Sequence, residues 1–144
     1  MPVASSRSRA LPPARPTDRQ VAALLAAARA YLGQARSAGE PAERFRLSHL
    51  AALRCAAALV ANRGRPAGSR RRLVSVWVLL EAVAPEHTEW TRHFAAAAVA
   101  RAEVEAGLPG GVDARRADEQ LRTAVDFLRT VEADGLGPPT RLAG

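Results

Sequence analysis

The alternation of apolar and polar positions along the chain has a helical period almost throughout. Val21, Leu24, Leu25, Ala28, Leu32 and Ala35 predict a first helix from Thr17 to about Ser37, with Thr17 and Gln20 at capping-box spacing and Gly39 ending it. Pro41 suits the first turn of a second helix, which runs to about Asn62 and stops at Gly64. A short third helix, about Val74–Ala84, is apolar on most sides through Val76, Trp77, Leu79, Leu80 and Val83. Pro85 breaks it and opens a fourth over Glu86–Ala106, with Trp90, Phe94, Ala97, Ala98 and Val104 inward and Gly107 closing it. Asp113 caps a fifth helix. Its Ala117, Leu121, Ala124, Val125, Leu128 and Val131 form the clearest amphipathic stripe in the chain, and Asp118, Arg122 and Asp126 ladder its outer side. Neither strand alternation nor an internal repeat occurs. The fold class is therefore all-α: an antiparallel four-helix bundle with one short inserted helix.

The second helix carries the chemistry worth testing. On a helical wheel Phe45, Ala52, Leu53, Ala56, Ala57, Leu59 and Val60 share one half, with Leu50 at its edge. Glu43, Arg44, Leu47, Ser48, Arg54 and Cys55 share the other. Arg46 and His49 fall inside the apolar half, three residues apart and therefore neighbours. A titratable side chain on a packing face needs a partner, an open end or a site to serve. The pair is either a snorkelling arginine with a hydrogen-bonded core histidine, or an acid/base centre.

Charge changes this picture more than composition does. All 21 basic residues are arginine, and Ala, Gly, Pro and Arg make up about half the chain, so arginine abundance alone says little. Its distribution says more: residues 1–72 carry a net +11 and residues 73–144 a net −4, within the total of +7. Such asymmetry points to an anionic partner or to self-association of opposite faces. Met1–Pro16 reads as a disordered basic arm without the apolar core of a signal peptide, 17–134 as one helical domain, and 135–144 as a loose tail. Between helices two and three, RGRPAGSRRR places Arg63, Arg65, Arg70, Arg71 and Arg72 in ten residues with no acid, a composition suited to phosphate oxygens. No aromatic residue lies in that run to stack on a base. His87, Glu89 and His93 do not make a carboxylate-bundle metal set, because His87 leaves the face that Glu89 and His93 share, so neither metal nor cofactor is expected. Trp77 and Trp90 read as core anchors, and the single Cys55 excludes an intrachain disulfide. No stretch is apolar enough to span a membrane, and a cytoplasmic location is the default expectation.

The runs RFRLSHLAALRCAAALVAN, SVWVLLEAVAPEHTEWTRHFAAAAVARAEVEAG and DARRADEQLRTAVDFLRTVE resemble the HEPN superfamily, and within it an actinobacterial branch, over about Asp18–Glu132. The resemblance implies a HEPN-like bundle that is often homodimeric. Active members are metal-independent ribonucleases, of toxin or RNA-processing type. In those an arginine, separated from a histidine by four to six intervening residues, meets it at the dimer interface. Other members bind RNA or nucleotides, or partner a nucleotidyltransferase. Arg44 and His49 match that spacing, but on a regular helix they lie about 140° apart. The family motif usually sits near a later helix, where His87 and His93 have no arginine at the required distance. These departures favour a non-catalytic member that binds RNA or another polyanion through the five loop arginines and the arm. The alternatives are a ribonuclease using His49 with Arg46 or Arg44, and a homodimeric protein-interaction bundle.

Overall fold

A computed structural model of the chain describes residues 16–66, 74–108 and 111–136. Every described element is helical: α1 (Pro16–Ser37), α2 (Pro41–Arg63), α3 (Val76–Val83), a 3₁₀ turn (Pro85–His87), α4 (Thr88–Glu105), α5 (Ala114–Val131) and a closing π-turn (Glu132–Leu136). The expected arm over residues 1–15, Arg70–Arg72 and the end of the tail lie outside the described residues.

Local chemistry accounts for most boundaries. Pro16 takes a helical position, so α1 begins one residue before Thr17 and the supposed capping box falls inside its first turn. Pro41 opens α2 as expected. Gly64 ends it at φ +87°, a backbone conformation that side chains other than glycine rarely adopt. α3 starts at Val76, two residues later than predicted, because the Ser75 hydroxyl accepts from the Trp77 N–H at 3.2 Å and caps it there. Asp113 caps α5 by accepting from the Arg116 N–H at 2.8 Å.

α2 is the central helix, packed against α1, α3, α4 and α5. That position corrects the wheel reading of it. Leu47, Ser48 and Cys55, placed on the outer half, are buried, and the Ser48 hydroxyl donates to the Arg44 carbonyl at 2.7 Å. A helix enclosed by four neighbours has no single solvent face, so a two-sided wheel cannot describe it. Burial also pushes the Cys55 thiol up to about 12, leaving it an inert core group.

The core has an aromatic column. Trp90 stacks on Phe127 at 5.5 Å, Phe127 meets Phe94 at 5.6 Å, and Phe94 stacks on Trp77 at 5.5 Å. This column ties α3, α4 and α5 together, with Trp77 in the core and the half-buried Trp90 packed against it. On α4 the buried positions are Thr91, Phe94, Ala97 and Ala100, while Trp90, Ala98 and Val104 are half-buried. On α5 the buried stripe also takes in Gln120 and Phe127. Among the described residues no helix is long and apolar enough to cross a membrane.

Candidate functional site

At the end of α2 the structure separates arginines that the sequence groups together. Arg63 is committed: its Nη1 donates to Glu86 Oε1 and Oε2 at 2.6 and 2.8 Å and to the Val83 carbonyl at 3.0 Å. Its Nη2 also lies 3.9 Å from Asp134 Oδ2, which His87 Nε2 meets at 2.9 Å. The Arg63 guanidinium holds the Glu86 carboxyl below the usual carboxylate range. This cluster clamps α2 to the end of α3 and to the closing turn. Arg65, two residues on, is exposed and makes no hydrogen bond or ion pair among the described residues.

Arg65 stands at the rim of a cavity of about 550 Å³ between α1, α2 and α3. Leu24, Ala57, Val60, Ala61 and Val76 give it apolar walls. Thr17 and Gln20, from the first turns of α1, supply polar groups, and Gly64 adds no side chain. Such a space is of the size that small ligands occupy, roughly 300–1,000 Å³. The opening of α1 was legible as a helix start, but nothing in the periodicity places Thr17 and Gln20 beside Arg65.

The three residues considered for catalysis are not brought together in a site. Arg44 donates to Asp118 Oδ1 at 2.6 Å and to the Ala38 carbonyl at 2.7 Å. Arg46 makes a two-bond pair with Glu43, at 3.0 and 2.5 Å, and keeps that carboxyl below its ordinary range. His49 is fully buried, edge-on to Trp77 and Phe94. Its Nε2 lies 2.9 Å from the Phe94 carbonyl, which can only accept, so Nε2 carries the proton and Nδ1 is the bare nitrogen. Nδ1 has no hydrogen-bond partner among the described residues. Burial pushes the ring pKa down to about 4, against a smaller upward pull from that carbonyl bond, and the Arg101 charge lowers it further. A neutral, enclosed imidazole at pH 7 locks α2 to α4.

His93 and Gln120 form a second link that sequence reasoning missed, with Nε2 2.8 Å from Oε1 across α4 and α5. Gln120 lies three residues after Ala117 on the buried stripe, which was the available signal. His87 and His93 thus serve different partners, and among the described residues no three His, Cys, Asp or Glu side chains converge as metal ligands.

Against known families, the chain matches the model of the SAV_6107-like HEPN domain over residues 35–132. No curated protein and no solved structure matches it.

Proposed function

The chain belongs to the HEPN superfamily through that SAV_6107-like match, and from this premise we propose that it is a non-catalytic domain binding RNA or a similar polyanion at the end of α2. The observation that carries the reading is Arg65, an exposed cation with no hydrogen bond or ion pair among the described residues, at a cavity rim and inside a run of arginines that contains no acid. Guanidinium groups left unpaired by the fold are the ones available to phosphate. The ribonuclease alternative gains no support from this geometry. A general acid or base must come within hydrogen-bond reach of the substrate, and the His49 ring has no exposed surface while Arg44 and Arg46 serve carboxylates.

With Arg63 held by Glu86, four arginines of the run remain candidates: Arg65, Arg70, Arg71 and Arg72. Fluorescence anisotropy of a labelled single-stranded RNA should then give a slope of log affinity against log salt of roughly −3. Changing those four to serine should flatten the slope and weaken binding at low salt. An unchanged slope would place the contacts elsewhere, and a denaturing gel of the same mixtures should show intact RNA.

The outer face of α4 supports self-association. Ala95, Val99, Ala102 and Ala106 follow one another at three- and four-residue steps and are exposed, Val99 at 65%. We assign that face to a second copy of the chain. Sedimentation should show a dimer that Val99→Glu converts to monomer. A monomer at every concentration would instead leave the face to a different protein, for which a nucleotidyltransferase is the partner the family suggests.

A further inference from the structure

We infer that the cavity beside Arg65 is a slot for one unpaired nucleobase, so that the domain recognises single strands rather than duplexes. The inference deepens the RNA-binding reading and rests on it. Phosphate attraction explains affinity for any polyanion, but the cavity adds a second chemistry next to the cation. Its lining includes aliphatic surface from two helices: Leu24 from α1, and Ala57, Val60 and Ala61 from α2. Ala57 and Ala61 are one helical turn apart, and their small side chains help leave the space open. A flat ring with apolar faces can lie between such walls, and its polar edge can meet the Gln20 amide and the Thr17 hydroxyl, which offer both donors and acceptors.

The cation is placed for the rest of the nucleotide. Arg65 lies at the same rim, next to a glycine that puts no side chain in the way. Asp18, in the same turn as Thr17, belongs to a different cavity with Val21, Arg29 and Leu136, so its carboxylate is not among the groups lining this one. A base inside a duplex is stacked and paired, whereas one in a single strand can be splayed out into a slot. The absence of an aromatic residue in the arginine run is therefore no obstacle, because neighbouring helices supply apolar surface instead. Three of the nine lining residues, Thr17, Gln20 and Leu24, precede the family-matched span, and the other six lie within it.

The test compares two labelled strands on the full chain: a short oligoadenylate, and an abasic strand of equal length and phosphate count. The base-bearing strand should bind about tenfold more tightly, the order expected for withdrawing one flat ring from water into an apolar slot, with the same salt slope for both. Ala61→Phe should fill the slot and bring the oligoadenylate down to the abasic level without changing that slope. If the variant does not fold, as judged by circular dichroism, the comparison of strands on the natural chain decides alone. Equal affinity of the two strands would overturn the slot and leave the polyanion reading intact. Failure of both strands to bind at low salt would remove both. Equal competition by an oligoglutamate peptide of matched charge would overturn the slot in favour of an acidic-protein surface.

Discussion

Phe94→Ala is expected to cost the fold about 3–5 kcal/mol, the range for emptying a large aromatic site that cannot collapse. Phe94 is fully buried and meets Trp77 at 5.5 Å, Phe127 at 5.6 Å, His93 at 4.8 Å and His49 at 6.0 Å. Removing its ring therefore takes contacts from α2, α3 and α5 at once. Domains of ordinary stability have about 5–15 kcal/mol in hand, so the variant should be partly unfolded near physiological temperature. Urea titration followed by circular dichroism measures it, and Phe94→Leu should recover much of the loss. A cost below about 1 kcal/mol is what substitution at an undemanding surface position gives. It would show that the four aromatic rings do not form a shared core.

The second large effect is a pH dependence centred on His49. Its pKa stands at about 4 in the folded protein against 6.5 unperturbed, with burial the main cause. The unfolded chain thus takes up a proton before the folded one does. The contribution to stability is fully present above pH 6.5 and is lost as pH falls towards 4, where it amounts to about 3 kcal/mol. Carboxylates titrate over the same interval, so the clean measurement is a difference. His49→Gln keeps an N–H that can reach the Phe94 carbonyl but cannot ionise. Between pH 7 and pH 4 the natural chain should lose roughly 3 kcal/mol more than the glutamine variant. Parallel curves would mean that the imidazole titrates as freely in the fold as outside it. A ring signal that moves at pH 6.5 in an NMR titration would say the same.

These two expectations cast His49 as part of the framework, and the reason bears on how a spacing match should be read. Arg44 and His49 satisfy a sequence interval, yet their side chains leave α2 towards different neighbours, one to Asp118 on α5 and the other to the Phe94 carbonyl on α4. An interval along a helix fixes an angle, and the surrounding helices decide what occupies that angle.

What the sequence determined by itself was local. The helical period located five helices, and Pro41, Gly64, Gly107 and Asp113 stand at or next to their ends as read. Each of those signals acts through the residue's own backbone or through partners within a turn, so it is complete in the sequence. The resemblance to HEPN domains also came through, because it rests on residue runs that are read along the chain. The tertiary structure alone decided which polar groups are spoken for. Arg63 meets Glu86 across 23 positions and Arg44 meets Asp118 across 74, and no periodicity carries information over such distances. It decided that α2 packs against four other helices, which put Leu47, Ser48 and Cys55 in the core. It also set the start of α1 beside the end of α2, and so made a cavity at Arg65 from residues some forty positions apart. Pairing and enclosure arise only when helices are brought together, and that step belongs to packing.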